Sequence, residues 1–372
     1  MSMSLPHAAP KTNSAPQSKF NNDAAIRNWL ICVALLVFAM VVVGGATRLT
    51  DSGLSITEWL PLLGVIPPLS DIDWQVAFSK YKQIPEYEKI NQGMSLDDFK
   101  FIYWWEWSHR FLGRFIGLAF AIPFALFWFG GMVRKGLAPK LLGLLTLGAL
   151  QGFFGWYMVK SGLVDRVDVS HYRLALHLVT AFLILALLVW LIASLTPRAI
   201  EPPMLAHATP GQIKAAWAIV GLIILQVILG AFVAGTKAGL GYNTWPLMDG
   251  QLIPDGLFDR AMSWYLNPLE NVIQIQFNHR VIAYVLLGLA IWHALTFCKT
   301  RSHNPLARTS LCVALAVVAQ AALGIWTLLA VPDAGGIPIG LGLIHQGGAA
   351  VVTAIAVWHL HAITTHKPPK PV

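Results

Sequence analysis

Charge is scarce in this chain. Asp, Glu, Lys and Arg supply only 12% of the 372 residues, about half the share usual in soluble proteins. So few ionisable groups exclude an ordinary water-soluble globule of this size. Cysteine is almost missing as well. Cys32, Cys298 and Cys312 all lie in or beside apolar stretches, which excludes a disulfide-stapled framework and leaves them as small buried hydrophobes. No nucleic-acid-binding motif is present, so the net charge of +8 is no nucleic-acid footprint.

What the chain does have is apolar sequence. Hydrophobic residues make up 56% of it, with a mean hydropathy of +0.60, and that much apolar surface has to meet lipid. About 20 residues at ~1.5 Å rise cross a ~30 Å hydrocarbon core. Eight segments qualify, at about 28–46, 109–130, 140–160, 173–195, 214–235, 279–298, 309–331 and 341–363. With both termini taken as cytoplasmic, the tails and the loops after spans 2, 4 and 6 carry net +11, and the opposite side carries net −3. Arg134, Lys135, Lys140, Arg198, Lys214, Lys299, Arg301 and Arg308 crowd the short inner loops, as the positive-inside rule requires.

The expected fold is therefore an all-α integral membrane protein, with eight transmembrane helices forming two pseudo-twofold-related four-helix bundles. Residues 1–27 read as a disordered cytoplasmic tail, rich in Pro, Ser and Asn. The N-terminal half spans 28–195, a cytoplasmic linker 196–213, the C-terminal half 214–363, and a second cytoplasmic tail 364–372. The first span reads as a retained helix, not a cleaved signal.

The two halves repeat one plan. Gly44, Thr50, Gly53, Leu54 and Trp59 match Gly230, Thr236, Gly239, Leu240 and Trp245 at a constant offset of 186. Past the first outer loop the offset falls to 168–170, so that loop is longer than its counterpart in the second half. Gln151/Gly155, Gln226/Gly230 and Gln320/Gly324 share a Gln-x-x-x-Gly spacing. These read as packing elements, since glycine lets helices approach and the amide finds a partner across the interface. Four spans per half make the repeats parallel. The long loop 47–108 holds Trp74, Tyr81 and Tyr87, then Trp104, Trp105 and Trp107. They fit an interfacial aromatic belt or, alternatively, a lid over a bound cofactor.

Four histidines follow the repeat. Each opens an even-numbered span, and the interval from His109 to His177 nearly equals that from His279 to His345. All four are expected near one membrane surface, the outer one. Zinc or copper can use four imidazoles, but two duplicated pairs, each in its own bundle, suit two haems with paired axial histidines better. Arg110 and Arg280 directly follow ligand candidates, and Arg114 and Arg173 lie nearby. They are candidate contacts for the haem propionates, which helix N-termini also favour, or they snorkel to headgroups. The most useful difference between the halves lies three residues before the first histidine, where Glu106-Trp107-Ser108-His109-Arg110 matches Gln276-Phe277-Asn278-His279-Arg280. Glu106, on the helix face of His109, is the candidate catalytic acid, because Gln276 cannot take a proton. One half is thus expected to do chemistry and the other to keep a structural or electron-carrying haem. His171 falls about 240° around the helix from His177 and is left out, as are His7, His207, His293, His303, His359, His361 and His366.

The runs GGATRLTDSGLSITEW (44–59), EWSHRFLGR (106–114), YRLALH (172–177), FNHR (277–280) and IHQ (344–346) closely resemble the haem A synthase family, over about residues 28–362. Without a cysteine pair in its first outer loop, the chain resembles the proteobacterial and mitochondrial class, and the thiol relay of the other class does not carry over. The resemblance implies an oxidoreductase that converts haem O to haem A by oxidising the C8 methyl group to a formyl through two successive hydroxylations. It assigns His109 and His177 to the substrate haem, His279 and His345 to a haem b, and catalysis to Glu106. It further implies the bacterial inner membrane, haem O synthase as a partner, and an electron donor or acceptor that the residues do not identify. A homo-oligomer is compatible with all of this. Two other functions fit the residues alone: a di-haem electron-transfer cytochrome, and a haem carrier or exporter. Four ligands at one depth and an unmatched Glu106 argue against the first. The second requires exchangeable haem and no new haem type.

Overall fold

The computed structural model describes residues 15–60, 63–163, 167–197, 208–298 and 305–365. Among the described residues there is no β-strand, and eight long helices carry the architecture. They are α1 (Ala15–Leu49), α2 (Leu96–Phe129), α3 (Ala138–Lys160), α4 (His171–Leu195), α5 (Pro210–Gly235), α6 (Val272–Cys298), α7 (Pro305–Leu329) and α8 (Ile339–Thr365). Each is long and apolar enough to cross a membrane, so the chain is a multi-pass membrane protein.

The helix ends differ from the hydropathy windows for physical reasons. α1 begins at Ala15, inside the stretch expected to be disordered. Ile26, Trp29 and Leu30 are buried in the helical core, and Trp29 Nε1 donates to the Ala119 carbonyl at 2.9 Å. Packing thus extends the helix past its lipid-facing part. Residues 1–14, 198–207 of the expected linker and 366–372 of the expected tail lie outside the described residues. α5 starts at Pro210, where Thr209 and Gln212 form a reciprocal capping box with proline in the first turn.

α2 starts at Leu96, several turns before the expected span, capped by Ser95 on the Asp98 amide. Its added turns are polar on one side and bury Phe99, Ile102 and Tyr103 on the other. Those residues join Leu54, Trp74, Phe78, Tyr81 and Ile84 in a separate core made by the long loop. Short helices Asp71–Tyr81 and Pro85–Lys89 carry that loop. Trp74 and Tyr81 are therefore buried inside a folded cap, and Tyr87 packs edge-on against Phe78 and Tyr81. Trp104, 42% exposed, stays on the outside.

The helices have the same neighbours in both halves. α1 packs on α2 and α4, and α3 packs on α2 and α4; α5 packs on α6 and α8, and α7 packs on α6 and α8. The halves meet through α1, α4, α5 and α8, where Val37, Val41, Leu185, Leu188, Val227 and Ala350 share one apolar core. Gln346 pins the join: its amide lies over Gly45 and donates to the Val41 carbonyl at 2.7 Å. At the long-loop end, Arg48 reaches the Ala234 carbonyl at 3.2 Å and Lys237 pairs with Asp168 at 3.3 Å.

Candidate functional site

The four repeat-related histidines lie toward the long-loop end of the even-numbered helices, but they do not open them. His177, His279 and His345 are the seventh, eighth and seventh residues of α4, α6 and α8, and His109 is the fourteenth of α2. At ~1.5 Å per residue the first three sit about 10 Å from their helix starts and His109 about 20 Å.

Each imidazole rests on a glycine of the preceding odd-numbered helix. A Cβ added to Gly44 would meet His109 Nε2 at 3.2 Å, and one on Gly155 would meet His177 Cε1 at 3.1 Å. The matching distances are 3.3 Å from Gly230 to His279 and 2.8 Å from Gly324 to His345. The Gln-x-x-x-Gly elements thus have a specific partner. Gln151, Gln226 and Gln320 donate to the backbone carbonyls of His177, His279 and His345 at 3.0, 2.9 and 2.8 Å. The same amide nitrogens lie 3.4, 3.4 and 3.1 Å from a ring nitrogen of those histidines. Sequence reasoning treated the glutamines as packing residues. The usable signal was that each lies one turn before a glycine of the repeat.

The pairing of imidazoles fits haem ligation. His109 and His177 face each other with ring centroids 6.4 Å apart and planes at 85°. A ligating imidazole nitrogen lies about 2 Å from its metal, which places two rings that share one metal atom a little over 6 Å apart, centre to centre. His279 and His345 lie within electrostatic reach of each other in the other half. Nδ1 of His177 and of His279 is buried with no hydrogen-bond partner. No three metal-ligating side chains converge among the described residues, so the four imidazoles form pairs and not one zinc or copper site.

Glu106 is 2% exposed and surrounded by donors. Its Oε2 accepts from Ser55 Oγ at 2.8 Å and from the Ile56 amide at 2.6 Å, while Oε1 accepts from Arg110. Gln276 occupies the matching place but reads its loop with opposite polarity. Its amide nitrogen donates to the carbonyls of Ala238 and Gly241 at 2.8 and 2.7 Å, and its oxygen accepts from Arg280 at 3.1 Å. The arginines are equivalent in detail. Arg110 holds the Ile56 and Glu58 carbonyls at 2.7 and 2.9 Å. Arg280 holds those of Tyr242 and Thr244, the positions that match Ile56 and Glu58 in the repeat. The two loops thus share one anchor, and at that anchor the acid-for-amide exchange distinguishes them.

Arg114 donates to the Leu60 carbonyl at 2.9 Å. Arg173 donates to that of Tyr157 at 2.7 Å and stacks on its ring. All four candidate anion contacts therefore also brace loops or helix ends. His171 points to the other half, with Nε2 3.1 Å from the Leu269 carbonyl and its ring against Phe232. His293 and His359 are fully buried and bonded to each other, Nε2 to Nε2, at 2.8 Å. Their centroids, 5.1 Å apart, leave no room for a metal between them. His361 meets Ser194 at 3.0 Å. His7, His207, His303 and His366 lie outside the described residues.

Eight apolar helices, with four imidazoles each resting on a glycine of the preceding helix, define a polytopic membrane protein with one candidate site in each half. The chain belongs to the COX15-CtaA family, described as cytochrome oxidase assembly protein, whose model matches residues 27–357. It is 51% identical to the Heme A synthase of Parvibaculum lavamentivorans over 354 residues, covering 95% of this chain and 98% of that protein. It is 49% identical to the Heme A synthase of Rhizobium meliloti over 338 residues, covering 91% and 89%. With the Heme A synthase of Chelativorans sp. the identity is 48% over 353 residues, covering 93% and 95%.

Proposed function

We propose that this chain is a haem A synthase, an oxidoreductase that takes haem O and oxidises its C8 methyl group to the formyl group of haem A. The observation that carries the reading is the asymmetry between buried Glu106 and Gln276 at repeat-equivalent positions, together with relatives named for this activity. His109 and His177 hold the substrate haem, and His279 and His345 hold a haem b. When bound, haem b supplies one-electron redox chemistry. A pair of imidazole ligands would suit a haem used for electron transfer.

Glu106 lies one turn from His109, on the same helix face. An ionised carboxylate only accepts hydrogen bonds, and its surroundings offer only donors. It is thereby held as a fixed acceptor that steadies positive charge developing at the reacting carbon or takes the proton released there. Arg110, Arg114, Arg173 and Arg280 turn any remaining N–H groups toward the propionates. Haem O synthase supplies the substrate, and a separate redox partner exchanges electrons. The charge asymmetry supports an inner-membrane protein with both termini cytoplasmic.

The test is expression with a haem O synthase in a host lacking haem A, followed by haem extraction and reversed-phase separation with mass detection. Haem A or its hydroxymethyl precursor is expected. Haem B and haem O alone, in membranes with a confirmed electron supply, would overturn the proposal.

A further inference from the structure

Three of the four helix hairpins clamp their histidine with a glutamine, and the fourth does not. At the offset of 186 that aligns Gly44 with Gly230, the residue matching Gln226 is Met40. Its methyl group packs toward the next turn of α2, where a Cβ on Gly113 would meet it at 3.4 Å. Met40 therefore fills the glutamine's place between the helices but carries no donor for the His109 carbonyl or ring. Among the described residues no hydrogen bond is made by the His109 ring, which rests on Gly44 and faces His177.

We infer that Met40 makes His109 the labile member of the four ligands, so that the His109–His177 cleft releases its haem while the His279–His345 cleft retains its own. The inference rests on the proposed function for the identity of the ligand and deepens it. The physical reason lies in the outer shell. Each glutamine amide donates to the backbone carbonyl of its histidine and so ties that turn to the neighbouring helix; a hydrogen bond of this kind is worth about 1 kcal/mol, or ~5-fold. Gln226 and Gln320 hold both ligands in the C-terminal half; only Gln151 holds one in the N-terminal half. Met40, a flexible thioether, gives the turn at His109 no such tie. A substrate must enter and leave as product, whereas a resident redox group has to survive many turnovers. Two clamps on one cleft and one on the other match those needs. Met40 is accordingly a positioning residue that acts through His109.

The test uses the full-length protein in detergent, loaded with haem B in both clefts, so that no chemistry is required. Excess apomyoglobin captures released haem, and Soret absorbance follows the transfer. Two phases are expected for the unaltered chain, separated by ~5-fold. Met40→Gln slows the fast phase toward the slow one and removes the high-spin fraction that a detached His109 gives in the electron paramagnetic resonance spectrum. Gln226→Met speeds the slow phase and leaves the fast phase alone, which keeps the test decisive if Met40→Gln does not load. A single phase in the unaltered chain, or a fast phase unmoved by Met40→Gln with both haems bound and unmoved slow kinetics in Gln226→Met, overturns the inference. Failure of the haem A assay with two well-separated release phases would instead count against the activity and leave the labile ligand standing.

Discussion

Replacing Glu106 by glutamine separates the chemistry of the acid from its structural role. The carboxylate accepts from Ser55 Oγ, the Ile56 amide and Arg110. A glutamine keeps one acceptor oxygen, so one side of the pair turns an NH2 toward donors. If the oxygen stays on Arg110, as Gln276 does with Arg280, the Ser55 hydroxyl can rotate but the Ile56 N–H cannot. An unsatisfied buried donor costs ~1–3 kcal/mol, and weakening the retained charged hydrogen bond adds about 1 kcal/mol. We predict a local loss of about 2–4 kcal/mol. It stays in the loop because Arg110 keeps its bonds to the Ile56 and Glu58 carbonyls. The four imidazoles keep their glycine cradles, so Glu106→Gln should still bind two haems. Haem extraction with mass detection should find haem O and haem B but at least ~100-fold less haem A, the scale on which a general acid–base group contributes. Haem A at the normal rate refutes the role of the carboxylate. Loss of the His109–His177 haem along with activity refutes its separation from the scaffold.

Three further predictions concern other parts of the molecule. Gly324→Ala places a Cβ 2.8 Å from His345 Cε1, which forces the ring to move; haem b content should fall more than for Gly230→Ala, where the distance is 3.3 Å, and equal haem contents would contradict the cradle. His279→Ala should lower haem b while haem O still binds, and a purified variant that has lost only haem O would contradict the assignment of the two clefts. Burial, followed by the nearby Asp51 carboxylate, pushes Glu86 in the loop cap from 4.5 up to about 8. The folded cap then holds a proton that the unfolded loop releases, so stability falls as pH rises from about 4.5 to about 8, by at most ~1.4 kcal/mol per pH unit. Glu86→Gln should flatten that slope in proteolysis of the loop measured across this range, and an unchanged slope would show that another group causes it.

Residue order alone determined the number of spans and the fourfold pattern of histidines. Long apolar runs report lipid contact directly, and a duplicated chain repeats its ligands at a constant offset. It also exposed the Glu106/Gln276 difference, because the repeat aligns an acid with an amide three residues before a matched histidine. Hydropathy could not place the helix ends. Leu96–Ser108 is helical because of packing and capping, and Ile26 is packed into the core before the expected start of α1. The aromatic residues of the long loop fit both a belt and a lid, and only tertiary contacts gathered Trp74, Phe78 and Tyr81 with Phe99 into a cap. The partners of the site were settled in the same way. Gln151, Gln226 and Gln320 sit on odd-numbered helices, 25 to 53 residues from the histidines they hold, and Ser55 lies 51 residues from Glu106. Sequence spacing carries information about one helix face at a time, whereas a hydrogen bond between helices depends on which faces the packing turns toward each other.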